Sequence, residues 1–174
     1  MRYKILRKQN SSRLCFVCGE QNDIGLKTKY YECENEAGEK VLLSISYPCE
    51  KHQSYPGRLH GGIAATILDE GIGRAFNLLQ PDAWGVTMEL TTRYRKPTPY
   101  DQPLYMESKI TKTGSLVFDG EGKLFLADGT ICAEGKGRYL RLPIDKIAND
   151  ALTPEEWFYV DEDLPEYIEI KKED

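Results

Sequence analysis

Hydrophobic residues recur with two different spacings along this chain of 174 residues, one typical of β-strands and one typical of a long helix. Residues 27–34 (KTKYYECE) and 40–47 (KVLLSISY) flank the turn-like NEAGE, an arrangement that predicts a β-hairpin. Apolar residues between Ile63 and Leu79 recur at helical spacing and predict a mostly buried helix of about 18 residues. Four strand-like segments follow, which are VTMELTTRYRK, PLYMESKITKTGSLVFD, KLFLA and TICAEGKGRYLRL.

The joints between the later strands carry turn-forming residues. They are TPYDQP, the cluster Asp119-Gly120-Glu121-Gly122, and Asp128-Gly129, whose glycine accepts the positive φ of a tight hairpin. Strands joined by hairpins imply an antiparallel sheet, and a single long helix must lie across that sheet to be buried. The sequence therefore predicts an α+β fold, with a main domain over residues 1–142 that includes an N-terminal extension, 1–14.

From Pro143 onward the chain is acidic and interrupted by prolines, so we expect a separate C-terminal extension over residues 143–174. Within it Thr153, Pro154 and Glu156 have the spacing of a capping box. This predicts a short helix whose apolar face, Trp157 and Phe158, docks on the domain or on a second subunit, followed by a frayed end.

One stripe of the long helix is small or polar where the other faces are apolar. At about 100° per residue, Gly62, Thr66, Asp69 and Gly73 share this stripe. A carboxylate buried there needs hydrogen-bond donors or a raised pKa, and such a group is suited to act as a general base or nucleophile. A purely structural Asp69, bonded to backbone or to an arginine, is the alternative. Glu70 has Arg74 at i+4 as an ion-pair partner on the helix surface.

The start of the helix offers a second chemical feature. Gly61 and Gly62 present amides at the positive end of the helix dipole, where an oxyanion can bind, although a flexible joint would use the same residues. His60 is placed to cap or orient this end. Since Gly62 and Asp69 lie about 10 Å apart along the axis, one chain cannot bring both to one carbonyl. Two antiparallel helices could, which predicts an active site shared between the subunits of a dimer.

Composition and charge narrow the possible partners. A formal net charge of −5 gives no electrostatic basis for binding nucleic acid or coating an anionic membrane. No apolar run approaches the roughly 18 residues of a membrane span, and the basic N-terminus lacks the apolar core of a signal peptide. We therefore expect a cytoplasmic protein, whose five cysteines do not form a disulfide framework.

Three segments carry a resemblance to a known family. PGRLHGGIAATILDE resembles the HGG signature of hotdog-fold acyl-CoA thioesterases of the phenylacetic-acid-degradation type, in which an acid follows the His by nine positions. CFVCGEQNDIGLK is similar to the CFxCGxxNPxGL lead-in of a bacterial subgroup, and VTMELTTRYRKP to the strand after the helix. The resemblance covers residues 15–142. It implies a sheet wrapped round the helix, dimers that often pair into tetramers, and hydrolysis of acyl-CoA without a metal or organic cofactor.

The resemblance also implies roles for individual residues. The Gly62 N–H would polarise the thioester carbonyl, Asp69 would activate water or attack directly, and Thr87 would help to position the water. His60 joins this catalytic set, while Gly61 and Glu70 border the substrate. Relatives often carry Asn where this chain has Ser54, an auxiliary position at the site. For the phosphates of coenzyme A we expect a basic patch of Arg93, Arg95 and Lys96.

Other functions fit the sequence less well. Cys15 and Cys18, with Cys33, Cys49 and His52, could form a zinc site, but a second correctly spaced pair is absent and packing is the simpler role. A serine hydrolase lacks its G-x-S-x-G motif. A hotdog hydratase would need an Asp five residues before its His, where Tyr55 stands. A non-catalytic hotdog protein that binds acyl-CoA as a sensor or carrier remains the main rival.

Overall fold

The computed structural model describes residues 1–81, 83–148 and 151–171, in which an antiparallel sheet packs against one main helix. The strands are β1 (Arg2–Lys8), β2 (Ser11–Ser12), β3 (Lys29–Glu34), β4 (Lys40–Ser46), β5 (Gln53–Tyr55), β6 (Arg58–Leu59), β7 (Gly85–Tyr94), β8 (Leu104–Thr113), β9 (Val117–Phe125), β10 (Ile131–Arg141), β11 (Trp157–Phe158) and β12 (Tyr167–Glu169). The helices are α1 (Gly61–Arg74), continued by a 3-10 turn (Ala75–Leu78), and the short α2 (Ile144–Ala148); a further 3-10 turn spans Glu50–His52.

Eight strands form the main sheet in the order β12-β1-β3-β4-β8-β9-β10-β7, and every neighbouring pair is antiparallel. The β5–β6 and β2–β11 pairs stand apart as two-stranded ribbons. This architecture confirms the predicted α+β class, with an antiparallel sheet and one long central helix.

Helix α1 presents one apolar face to strands β4 and β7–β10. Ile67, Leu68 and Ile72 lie on that face and are fully buried. Burial of each such side chain contributes about 1.5–3 kcal/mol, so these three account for a large part of the attachment of the helix to the sheet. The predicted stripe of Gly62, Thr66, Asp69 and Gly73 is instead partly or fully exposed. The helix is therefore buried on one side, less completely than predicted.

The turns predicted at NEAGE, TPYDQP and Asp128-Gly129 are confirmed, and the one predicted at Asp119-Gly120-Glu121-Gly122 is wrong. Gly38, between β3 and β4, and Gly129, between β9 and β10, both have positive φ angles, of 77° and 83°. The cluster Asp119-Gly120-Glu121-Gly122 lies inside β9, and the chain turns earlier, between β8 and β9. The strands on either side of this turn were therefore predicted with shifted boundaries.

The glycines of β9 have a packing role instead of a turn role. A Cβ atom on Gly120 would lie 2.7 Å from Ile72 Cγ2, and one on Gly122 would clash with Met106 Cε. Both positions face inward by the period-two alternation of the strand. Glycine is required here because the helix and a neighbouring side chain approach the strand too closely for any larger residue.

The two ends of the described chain join the fold more extensively than predicted. β1 lies between β3 and β12 in the main sheet, although the sequence predicted only extensions at both ends. The helix predicted from the capping box is wrong: residues 154–156 form a turn, and Trp157–Phe158 pairs with Ser11–Ser12 as strand β11. A short helix occurs earlier, at Ile144–Ala148. Among the described helices, none has the length and apolar character to cross a membrane.

Candidate active site

The Asp69 carboxylate is held by two hydroxyl groups from different strands. Thr87 Oγ1, on β7, donates to Asp69 Oδ1 at 2.9 Å. Tyr139 Oη, on β10, donates to the backbone oxygen of Asp69 at 2.8 Å and approaches Oδ1 at 3.3 Å. Sequence reasoning paired Asp69 with Thr87 as site residues, and the structure brings them into direct contact. The hydroxyl of Thr87 holds the carboxylate itself, where the prediction had it positioning a water.

Tyr139 is a site residue that sequence reasoning missed. Its side chain is buried, and its ring packs against Gly73, where an added Cβ would lie 3.1 Å from Tyr139 Cε1. Gly73 thus allows another group to approach the helix closely, as its place in the stripe suggested. That group is the ring of Tyr139 from the same chain, not a second subunit. Burial and the neighbouring Asp69 carboxylate raise the pKa of Tyr139, which keeps the phenol protonated as a donor.

A cavity of about 320 Å³ opens beside these groups. Asp69, Thr87 and Tyr139 line one part of it, and the indoles of Trp84 and Trp157 line another. The two indole centroids are 4.9 Å apart. Because Trp157 arrives on β11, the C-terminal segment contributes an aromatic wall to the cavity, which provides both a carboxylate and apolar surface for a ligand.

A ring of hydrogen bonds links α1 to the N-terminal loop on the same cavity. Arg74 Nε donates to Glu70 Oε1 at 3.0 Å, and Arg74 Nη2 donates to Cys18 Sγ at 3.0 Å. Cys15 Sγ donates to Glu70 Oε2 at 3.3 Å. The predicted pair of Glu70 and Arg74 is present, but it is mostly buried, because the N-terminal loop covers a helix face that was expected to be exposed.

The pKa values of the two thiols in this ring are shifted in opposite directions. A hydrogen bond from the Cys18 thiol lowers the pKa of Cys15, and this effect outweighs burial and the nearby Glu70 charge. The same bond, followed by burial, raises the pKa of Cys18. The Cys15 thiol therefore has the lower pKa of the two.

The start of α1 is capped by the side chain of His60. Its Nδ1 accepts the Gly62 N–H at 2.9 Å. The amide predicted to bind the substrate carbonyl is therefore already paired in this structure. Gly61 lines a second cavity, of about 280 Å³, together with Tyr94, whose hydroxyl donates to the Gly61 oxygen at 2.8 Å. The start of α1 and Asp69, which were predicted to act in one site, thus line different cavities of one chain.

The predicted basic patch divides between two cavities. Arg95 and Lys96 line the cavity at the start of α1. Arg93 and Arg95 line a neighbouring one of about 390 Å³, as expected for residues on one face of a strand. Arg95 is bound by Glu134 at 2.6 Å, so part of its charge is neutralised.

Ser54 lies elsewhere, on β5. Its hydroxyl donates to the Leu59 oxygen at 3.4 Å, within the β5–β6 hairpin. Among the contacts between described residues, none joins Ser54 to Asp69 or Gly62.

β7 forms one edge of the main sheet and is exposed along most of its length. Val86, Met88 and Tyr94 are 41%, 59% and 54% exposed on this strand of ten residues. A long edge strand with exposed apolar side chains is a surface on which another strand can pair. Thr87 lies on this strand, so Asp69 is held at the same edge.

Comparison with known proteins supports one family. Residues 56–133 match the model of the thioesterase superfamily. The chain is 27% identical over 98 residues to acyl-coenzyme A thioesterase 13 of Homo sapiens, which covers 56% of this chain and 69% of that protein. It superposes on the BH2602 protein of Bacillus halodurans, solved with CoA, with a TM-score of 0.55 and 30% identity over 63% of this chain and 72% of that one.

Not every relative is matched over most of its length. The chain is 32% identical over 81 residues to a mitochondrial protein of Candida albicans, and this match spans 45% of the chain but only 36% of that relative. The matched family region contains α1 with Asp69 and strand β7 with Thr87. It does not contain the N-terminal loop of Cys15 and Cys18, or Trp157.

Proposed function

We propose, from the premise that the chain has the hotdog fold and matches the thioesterase superfamily over residues 56–133, that it hydrolyses the thioester of an acyl-CoA. Water adds to the acyl carbon, the carbon–sulfur bond breaks, and the products are a carboxylic acid and the thiol of coenzyme A. The observation that carries the proposal is the Asp69 carboxylate, held by Thr87 and Tyr139 at the wall of a cavity.

In this proposal the two oxygens of the Asp69 carboxylate have different tasks. The side-chain donors Thr87 and Tyr139 both bind Oδ1. No donor among residues 1–81, 83–148 and 151–171 is bonded to Oδ2. Oδ2 is therefore the oxygen that takes a proton from water as general base, or attacks the acyl carbon as nucleophile. The two hydroxyl groups fix the direction in which it points.

The carbonyl is polarised in this proposal by the helix start of a second subunit. Gly62 and Asp69 are separated by two turns of one helix, so an antiparallel partner must bring its Gly62 to the Asp69 of the first chain. Since His60 Nδ1 already accepts the Gly62 N–H, the substrate oxygen takes the place of the imidazole. An oxygen gaining negative charge is a stronger acceptor than a neutral imidazole, which favours this exchange in the transition state.

The exposed edge of β7 supports a homodimer. Pairing of two β7 strands would cover Val86 and Met88 and satisfy the open edge of the sheet. It would also bring the partner to the side of the helix where Thr87 holds Asp69. Assembly of such dimers into tetramers is a further proposal that rests on the family resemblance alone.

The phosphates of coenzyme A are proposed to bind at the end of β7. The cavity of about 390 Å³ there is lined by two acidic side chains, Glu121 and Glu134, and by an excess of cations: Arg93, Arg95, Lys123 and Lys136. This local positive charge offsets the acidic total of the chain and is suited to anionic groups.

The test is thioester hydrolysis over acyl-CoAs of different chain lengths, followed by release of the free thiol. Asp69→Asn and Asp69→Ala are expected to reduce turnover by at least about 10²-fold, the low end for loss of a positioned base. Asp101→Asn, at an exposed loop position, is the matched control and is expected to retain wild-type turnover. Unchanged turnover in Asp69→Asn would move the chemistry away from this carboxylate.

A binding protein without turnover is the second candidate, and one observation favours it. The predicted oxyanion donor, the Gly62 N–H, is already occupied by His60. If the protein is a sensor or carrier, the parent chain and Asp69→Asn should bind acyl-CoA with equal affinity. Neither should release thiol from any acyl-CoA tested. Turnover by the parent chain excludes this alternative.

A further inference from the structure

The ring formed by Cys15, Cys18, Glu70 and Arg74 contains three ligand atoms of the kind that bind transition metals. The two sulfurs and one Glu70 oxygen lie within 4.8 Å of one another. Two of the ligands come from the loop before β3 and the third from the middle of α1. No pattern in the sequence linked Glu70 to the cysteines, because they are more than fifty residues apart and meet only in the fold.

The distances suit a small tetrahedral ion. With Zn–S near 2.3 Å and Zn–O near 2.0 Å, tetrahedral geometry places a sulfur and an oxygen ligand about 3.5 Å apart and two sulfurs about 3.8 Å apart. The distance from Cys15 Sγ to Glu70 Oε2 is 3.3 Å. An ion replacing the proton between these two atoms would therefore require only small movements of Cys15 and Glu70, and Cys18 Sγ lies within 4.8 Å of both.

The charges of the ring also allow such an ion. With both thiols protonated, Glu70 and Arg74 neutralise each other. Loss of two thiol protons adds two negative charges, which a divalent cation cancels, so the buried cluster is neutral in both states. Arg74 would keep its N–H groups on Cys18 Sγ and Glu70 Oε1, and would orient both ligands from outside the coordination shell.

We propose that Cys15, Cys18 and Glu70 form a site for a thiophilic divalent cation of the zinc class. Its fourth position opens on the cavity that Asp69 and Thr87 also line. Three protein ligands with one open position is the arrangement of zinc sites that bind an exchangeable fourth ligand. The site goes beyond thioester hydrolysis and departs from the prediction that the cysteines only pack. That prediction rested on the lack of a second cysteine pair. In the proposed site Glu70 supplies the third ligand instead.

Co²⁺ is the probe for this site, because its bonds to thiolate absorb in the near ultraviolet. The full chain, reduced with a phosphine and freed of metal by chelation and dialysis, is titrated anaerobically with Co²⁺ and then with Zn²⁺. We expect charge-transfer absorption that saturates at one Co²⁺ per chain and disappears when Zn²⁺ displaces it. Absorption that is absent or does not saturate would overturn the proposal, whatever the outcome of the thioesterase assay.

Three variants separate the ligands from other thiols. Cys15→Ser is expected to weaken Co²⁺ binding by more than about 10-fold and to reduce the charge-transfer intensity, since one thiolate is lost. Glu70→Gln keeps both thiolates, so the absorption should persist while the affinity falls about 10- to 100-fold. Cys49→Ser removes an exposed cysteine outside the ring and is expected to bind as the parent does.

Two outcomes would contradict this assignment. Wild-type affinity in Glu70→Gln would show that the carboxylate is not a ligand, and loss of the absorption in Cys49→Ser would place the metal on a surface thiol. Circular dichroism of each variant without metal identifies any that fails to fold. Cys15 is only half-buried, so Cys15→Ser provides a test even if loss of the Glu70 charge destabilises the helix.

Discussion

Replacing Thr87 by Val isolates the hydrogen bond that orients the Asp69 carboxylate. Val resembles Thr in shape and has a high β propensity, so the backbone of β7 should be unchanged. Thr87 is exposed, but its replacement also removes the hydrogen bond to the Asp69 carboxylate, so the effect should exceed the roughly 0.5 kcal/mol of an ordinary exposed substitution. We therefore expect the free energy of unfolding of Thr87→Val to fall by about 1–2 kcal/mol, with the fold retained.

The expected kinetic effect follows from the lost contact. The bond from Thr87 Oγ1 to Asp69 Oδ1 is 2.9 Å long and is made to a charged acceptor. Hydrogen bonds of this kind contribute about 1.5–3 kcal/mol. Tyr139 retains its weaker contact of 3.3 Å with the same oxygen, so the loss should lie near the lower end of this range. At 1.36 kcal/mol per tenfold change, kcat is expected to fall about 10- to 30-fold.

The assay combines steady-state hydrolysis of the best acyl-CoA substrate with urea unfolding of the same preparations. Thr87→Ser keeps the hydroxyl and is the matched control, expected to retain most of the parent turnover. Parent-like turnover in Thr87→Val would refute the idea that this hydroxyl positions Asp69. Equal loss in Thr87→Ser and Thr87→Val would assign the effect to the methyl group instead.

Two further predictions concern assembly and pH. Met88→Glu places a charge on the exposed edge strand and is expected to give monomers by light scattering with at least about tenfold lower turnover, since burial of an unpaired charge is costly. Leu116→Glu, at another exposed apolar residue that lies off this strand, should remain dimeric. A dimeric, active Met88→Glu would place the interface elsewhere. Partial burial raises the pKa of Glu162, but hydrogen bonds from Lys8 and Lys29 outweigh it, and the pKa lies below its usual 4.5. The stabilisation is therefore present above that value and is lost as pH falls through the folded-state pKa. Glu162→Gln should cost about 1–2 kcal/mol in urea unfolding at pH 7 and progressively less as the pH falls below 4.5; a cost that does not change with pH would contradict this.

Sequence patterns predicted those elements whose hydrophobic periodicity or turn residues were clear within a short segment. The β3–β4 hairpin and helix α1 followed from hydrophobic periodicity, and the helix start at Gly61 followed from the sequence His-Gly-Gly. The turn predicted at Gly120 and Gly122 was wrong, because the sequence does not distinguish a glycine needed for close packing in a strand from a glycine in a turn. The capping-box residues formed a turn instead of a helix because Trp157–Phe158 pairs with Ser11–Ser12, a contact between distant parts of the chain.

The candidate site was predictable to a similar degree. Spacing along one helix and resemblance to a family identified Asp69 and Thr87. Tyr139 was missed because its inward position in β10 looked like any other core position, and only the fold shows its hydroxyl reaching Asp69. The pairing of His60 with the Gly62 N–H depends on a single side-chain rotamer, which sequence patterns do not specify.

The cavity beside Asp69 has walls of two different origins. One wall belongs to the helix and strand of the matched family region, and the other is Trp157, from a strand far beyond that region that rests on the N-terminal loop. In the proposed enzyme, substitutions in the second wall would reshape the space offered to an acyl chain without disturbing the Asp69–Thr87 contact. Substrate range and chemistry would then depend on separate stretches of the gene, so a new substrate range could arise by exchange of an appendage alone.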